Sequence, residues 1–132
     1  MAQIARQTLY KDLDFSFKQN PNTNDVGIKK NNASISQSVL NILRTNHGER
    51  PFNYKFGANL RRYLFENMTR ATAANMTTSI ETALKNWEPR IKVLNTNIQA
   101  KADENEVFIT VTGKVISTNE VIDVATTIER LR

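Results

Sequence analysis

Apolar residues recur at helical spacing in the stretch before residue 88, and this is the strongest periodic signal in the chain. They fall at i, i+4, i+7, i+8 and i+11, which places them on one face of a helix. The residues on this face are Met76, Ile80, Ala83, Leu84 and Trp87. Thr69 precedes the pattern and suits an N-cap. The sequence therefore predicts a long helix over 70–87.

A second apolar stripe, at i, i+4, i+7 and i+8, predicts a helix over 33–46. Its members are Ile35, Val39, Ile42 and Leu43. Gly48 and Pro51 follow it, as expected beyond a helix end. A third, shorter helix over 58–67 groups Leu60, Tyr63 and Leu64.

After Pro89 the apolar period changes from 3.6 to 2, which indicates strands. Leu94, Thr96, Ile98 and Ala100 are predicted to share one face, and a polar turn follows at 103–106. The next strand has an apolar face made by Val107, Ile109, Val111, Gly113 and Val115. The two strands predict an antiparallel hairpin. Gly113 indicates a bulge or the close approach of another chain segment.

The sequence pattern predicts the secondary structure at the two ends of the chain less clearly. Residues 119–131 fit a strand through Ile122, Val124, Thr126 and Ile128, and also fit a helix stripe, but β-branched residues favour the strand. Near the start, 13–18 predicts a short strand, 19–24 a loop, and 19–32 as a whole a flexible loop. We predict a single domain over 1–132 with an α+β fold, in which two to three helices pack on a small antiparallel sheet.

Composition narrows the function classes. The chain has 132 residues, a net charge of +5, 39% hydrophobic residues and no cysteine. Its basic residues are scattered without an aromatic array, so we expect no nucleic-acid partner. No apolar run reaches the length of a membrane span or forms a signal peptide. His47, the only histidine, suits a helix end, and we expect no metal and no cofactor.

The segment 87–91 is the most informative for function. Glu88 stands at the carbonyl end of the long helix, where a carboxylate is disfavoured, and Pro89 stops the helix. Arg90 then offers five donors to planar acceptors. Two interpretations stay open: a helix stop with a surface ion pair, or a docking corner. Upstream, Arg50-Pro51 belongs either to a loop held to the core by aromatics or to a binding loop.

The alternative hypothesis is a lysozyme-like glycosidase that degrades peptidoglycan, and it rests on acidic residues near aromatic ones. Glu66 and Glu88 are the acids in the most distinctive contexts, and a glycosidase needs two carboxyls about 5–9.5 Å apart. Nothing in the chain specifies a catalytic residue.

Several short motifs together resemble a known family. They are Ile42-Leu43-Arg44-Thr45, Gly48-Glu49-Arg50-Pro51, Phe56-Gly57-Ala58-Asn59-Leu60, Leu64-Phe65-Glu66 and Trp87-Glu88-Pro89-Arg90-Ile91. Their order over roughly residues 9–117 resembles the baseplate wedge and sheath-initiator family of contractile injection machines. That family includes the type VI secretion component TssE. Tyr54 departs from the pattern, since the family usually has proline there.

The resemblance implies a structural protein of a virion tail baseplate rather than an enzyme, with a fold similar to the handshake part of a sheath subunit. It implies several copies per baseplate, assembled in the host cytoplasm, with baseplate wedge proteins and the tail sheath protein as partners. Its binding residues are then Glu88, Pro89, Arg90, Arg50, Pro51 and Trp87. The termini 1–18 and 119–132 become strand-exchange segments, the latter through Ile122, Val124, Thr126 and Ile128. We expect Arg90→Ala to abolish partner binding and leave the isolated fold nearly as stable.

Overall fold

The computed structural model describes residues 8–101 and 106–129. Two strands, β1 and β2, come first, and a helix α1 and a 3₁₀ helix follow. A long helix α2 then leads into three strands, β3 to β5. Their bounds in chain order are β1 Lys11–Leu13, β2 Ile28–Lys30, α1 Asn32–Arg44, the 3₁₀ helix Leu60–Phe65, α2 Arg70–Trp87, β3 Ile91–Lys101, β4 Glu106–Val115 and β5 Val121–Glu129. The predicted α+β class is confirmed.

The helices lie close to where their apolar stripes predict them. Helix α2 has the predicted bounds, and the Thr72 amide donates to Thr69 Oγ1 over 3.2 Å, which confirms the N-cap. Helix α1 ends at Arg44 because Thr45 turns to an extended conformation. The short third helix is of the 3₁₀ type. None of the helices in the described part of the chain is long and apolar enough to cross a membrane.

The main sheet is antiparallel in the order β3-β4-β5. Alternate residues of the central strand β4 are buried, and they are the predicted set Val107, Ile109, Val111, Gly113 and Val115. Helix α2 packs over β3 and helix α1 over β5 on the same buried face. In the described part of the chain, no strand pairs with the outer edge of β3 or of β5.

One face prediction is wrong because β3 contains a bulge. Val93 pairs with Gly113 and Asn95 with Thr112, so Leu94 is the extra residue and is 53% exposed. The bulge reverses the alternation at this point. Ile91 and Val93 therefore face the core before it, and Thr96 and Ile98 after it.

The bulge lies opposite Gly113, where a close approach was predicted. A β-carbon at Gly113 would overlap the Ile91 side chain and come within 3.3 Å of the Lys92 carbonyl oxygen. The prediction is confirmed, and the glycine is required by space rather than by a positive φ.

The ends of the chain differ more from expectation. Strand β5 confirms the extended interpretation of the C-terminal segment. At the other end the predicted strand 13–18 is wrong except at Leu13, because β1 covers Lys11–Leu13 and residues 14–18 form a turn and irregular backbone. Strand β1 pairs with β2, which falls within the predicted loop 19–32. Turns and bends occupy 21–25 as expected. Most of the predicted turn at 103–106 lies outside the described residues, and β4 begins at Glu106.

Candidate docking site

The corner between α2 and β3 holds a buried ion pair. Glu88 is 1% exposed although it carries a charge. Arg90 donates from Nε to Glu88 Oε1 over 2.5 Å and from Nη2 to Oε2 over 2.7 Å. The two parallel bonds match the fork of the guanidinium to the carboxylate. Pro89 stands between the partners and is exposed.

Burial acts against the charge on Glu88, and its neighbours reverse that effect. Removal from water alone would raise the pKa of the carboxyl, but hydrogen bonds from Arg90 and Ser38 and the Arg90 charge hold the pKa below its usual value of 4.5. The same bonds raise the pKa of Arg90 further above its usual range. Both groups are therefore charged at neutral pH. The first interpretation placed this ion pair at the surface and is wrong on that point, because the Glu88 carboxylate is buried.

The residue before β1 contributes a cover for this pair. The guanidinium carbon of Arg90 lies 5.0 Å from the centre of the Tyr10 ring, a cation–π distance. Asp12, two residues on, also acts on the Arg90 charge. The Asn31 side-chain oxygen accepts from the Leu9 and Tyr10 amides, which holds the segment before β1 in place. Arg90 is thus fixed from both sides, yet its side chain remains 30% exposed.

An open groove lies beside the corner and contains the other predicted binding residues. The Trp87 and Phe56 rings meet edge to face with their centres 5.4 Å apart, and the Arg50 guanidinium lies 4.5 Å from the Phe56 ring centre. Pro51 lines the same groove. Phe56 anchors the 49–57 loop to Trp87, but Phe52, the other aromatic expected to hold the loop, is fully exposed. Arg50 and Pro51 are also exposed, and binding by this loop stays a prediction.

Sequence reasoning missed three contributors to the site. Ser38 bonds Glu88 and also lines the groove, so it joins the ion pair to the aromatic cluster. Tyr10 covers Arg90, and Phe15 lines the groove from the N-terminal side. None of them lies near 87–91 in sequence. Only Ser38 was indicated by the sequence, because it falls on the face of α1 next to the apolar stripe.

The predicted strand-exchange residues are placed differently from the corner. Ile122, Val124, Thr126 and Ile128 all point to the buried face of β5, and Thr126 accepts a hydrogen bond from Arg44 Nε over 3.2 Å. Strand β5 is paired with β4 over its whole length. The outer edge of β5 has no strand beside it among residues 8–101 and 106–129.

The geometry excludes Glu66 and Glu88 as a glycosidase pair. Glu66 is exposed before the start of α2, and Glu88 follows its end. A helix of 18 residues spans about 27 Å, far beyond the carboxyl spacing of glycosidases. Within the described segments no group of three His, Cys, Asp or Glu side chains is placed to hold a metal ion.

Comparison with known proteins supports the family resemblance that the sequence motifs indicated. The family model of baseplate wedge protein gp25 matches residues 29–120, which include Arg50, Pro51 and the segment 87–91. Baseplate wedge protein gp25 of Enterobacteria phage T4 is 37% identical over 123 residues, covering 93% of this chain and 91% of its own length. The chain belongs to the baseplate wedge protein gp25 family.

Solved structures share the fold of this gp25 family member. A crystal structure described as a candidate tail lysozyme from Geobacter sulfurreducens has a TM-score of 0.68 and 27% identity, covering 75% of this chain and 90% of the other. A chain of the anti-feeding prophage baseplate has a TM-score of 0.65 and 22% identity, covering 89% and 83%. A chain of the postcontracted pyocin R2 baseplate has a TM-score of 0.54 and 19% identity, covering 86% and 98%.

Proposed function

We propose that the chain is a structural subunit of the baseplate wedge of a contractile tail and that it docks on other wedge proteins through the Glu88–Pro89–Arg90 corner. Membership of the gp25 family supports the wedge assignment. The observation that carries the docking site is the buried, two-bond pair between Glu88 and Arg90 with Pro89 exposed between them.

The pair is suited to binding because it is already ordered. Two of the five N–H donors of the Arg90 guanidinium serve Glu88. No acceptor within residues 8–101 and 106–129 takes the other three, so we propose that they donate to a partner's carbonyl or carboxylate oxygens. The side chain is held by Glu88 and Tyr10, so little conformational entropy is lost on docking. Arg50, Pro51 and Trp87 in the adjacent groove extend the same surface.

The sheath contact is a separate proposal and uses the edge of the sheet. Because β5 is fully paired with β4, we propose that a strand of the tail sheath protein adds to the outer edge of β5 rather than replacing β5. Added strands bind through main-chain hydrogen bonds. The edge of β3 suits this less well, since its bulge at Leu94 breaks the regular ladder.

This function places the protein in the tail baseplate in several copies, after assembly in the host cytoplasm. The test is reconstitution from purified components. The other wedge proteins of the same particle are mixed with or without this chain, and the sheath protein is then added. We expect the chain to enter the wedge complex and sheath polymerisation to start only in its presence. A wedge complex that forms and starts the sheath equally well without it contradicts the proposal.

A further inference from the structure

The two-stranded ribbon of β1 and β2 has an outer face that combines apolar side chains with like charges. Leu13 pairs directly with Ile28, and Lys11 directly with Lys30. Because side chains alternate along a strand, these four lie on one face of the ribbon. We call them the ribbon face: Lys11, Leu13, Ile28 and Lys30. All four are exposed, with Leu13 at 53% and Ile28 at 56%.

Two features of the ribbon face are unfavourable for the stability of the isolated protein. Like charges directly opposite each other across two strands destabilise the pairing. Water-exposed Leu and Ile contribute nothing to the core, and a two-stranded ribbon is marginal without further packing. The other lysine of the ribbon, Lys29, is paired with Asp14 at 3.8 Å, whereas the described residues place no carboxylate within ion-pair range of Lys11 or Lys30.

We propose that the ribbon face binds a segment of a neighbouring tail protein in which a large apolar side chain is flanked by carboxylates. The apolar residue covers Leu13 and Ile28, and the carboxylates neutralise Lys11 and Lys30. This inference rests on the proposed function, because that function is what places another tail protein next to the chain. The ribbon also adjoins the docking groove through Phe15, which is 52% exposed and lines that groove. The ribbon face and the docking groove can therefore contact the same multiprotein assembly.

Charge and composition favour this occupant over two others. A second copy of the chain would bring lysines against lysines in a two-fold contact, and the chain already carries a net charge of +5. The phosphates of a nucleic acid would form ion pairs with the lysines, but they would leave the apolar Leu13–Ile28 pair uncovered. An acidic, apolar protein segment satisfies all four side chains.

The decisive variant reverses one charge. In Lys30→Glu the new carboxylate faces Lys11, so the repulsion becomes an attraction and the melting temperature of the free protein should not fall. Binding to the purified wedge complex that lacks this chain should weaken by about tenfold or more at low salt. Arg70→Glu is the matched control, since it changes the net charge equally at the first residue of α2. It should bind as the wild type does.

A photo-crosslinking residue at Leu13 identifies the occupant in the assembled complex. A crosslink to a segment of another protein with acidic residues beside an apolar one supports the proposal. A crosslink only to a second copy, to nucleic acid or to nothing overturns it. So does wild-type affinity of Lys30→Glu. If the wild-type chain itself does not enter the wedge complex, the proposed function fails with it; if only Lys30→Glu is without effect, this inference alone fails.

Discussion

Tyr10 lies against Arg90, with 5.0 Å between the ring centre and the guanidinium carbon, although 80 positions separate them in the chain. The N-terminal segment that leads into β1 is therefore part of the docking corner. The segment 1–18 was predicted as a strand-exchange terminus. Within its described part, Lys11–Leu13 pairs with β2 and Tyr10 covers Arg90, while strand exchange by this segment stays a prediction.

This contact gives the first prediction. Tyr10→Ala should lower the affinity for the wedge complex by about two- to fivefold, because a cation–π contact of this kind contributes about 0.5–1 kcal/mol. Tyr10→Phe keeps the ring and should bind as the wild type does. Isothermal titration calorimetry compares the three proteins. Equal losses for the two variants would assign the effect to the hydroxyl group instead.

The second prediction concerns acid stability. Because folding lowers the pKa of Glu88, its ion pair stabilises the fold fully above its usual pKa of 4.5, and the contribution is lost as the pH falls through the lower folded pKa. As the pH falls from roughly 5 to 3, the wild type should therefore lose more unfolding free energy than Glu88→Gln. Denaturant titrations at several pH values measure this. Parallel pH profiles for the two proteins would show that the pair does not contribute.

The third prediction concerns the contact between Gly113 and Ile91. Gly113→Ala should destabilise the protein by about 1–3 kcal/mol, since the new methyl group overlaps the Ile91 side chain. Ile91→Ala alone leaves a cavity, but combined with Gly113→Ala it removes the overlap. The double variant should be more stable than the sum of the two single effects predicts. Strict additivity in chemical denaturation would contradict the proposed overlap.

The fourth prediction tests strand addition at β5. The Val115 amide donates to the Glu120 carbonyl, so the alternation of an antiparallel ladder directs the N–H groups of odd-numbered β5 residues to the outer edge. Ala125→Pro removes one of these and should leave the fold intact but stop sheath polymerisation. Ala125→Thr keeps the N–H group and serves as the control. Normal sheath assembly on a folded Ala125→Pro protein would exclude this edge.

The helices and the strand faces could be predicted because their causes are local. The stripe from Met76 to Trp87 fixed both ends of α2, with Thr69 as cap and Pro89 as stop. The alternation along β4 placed its five buried residues. Leu94 was misplaced because a bulge depends on the partner strand, here on the space beside Gly113, which one strand's pattern cannot show.

Only part of the docking site could be predicted, because some of its features are local in sequence and others depend on tertiary contacts. Local conflict at Glu88 and Pro89 marked the corner, and the family motifs added Arg50, Pro51 and Trp87. The burial of Glu88 arises from Ser38 and Arg90, and the cover of Arg90 from Tyr10, which are tertiary contacts. They also correct one expectation. Arg90→Ala leaves a buried carboxylate unpaired and should destabilise the fold by about 2–3 kcal/mol, less than a fully buried pair because Arg90 is 30% exposed.

The most direct test of the docking corner is the affinity of Arg90→Lys for the purified wedge complex, measured beside its melting temperature. Lysine keeps the positive charge next to Glu88 but loses the fork and the spare donors. We expect the variant to stay folded and its affinity to fall by about tenfold or more, while Arg61→Lys, the same change at an exposed arginine, has no effect. Wild-type affinity in a folded Arg90→Lys protein would contradict the account.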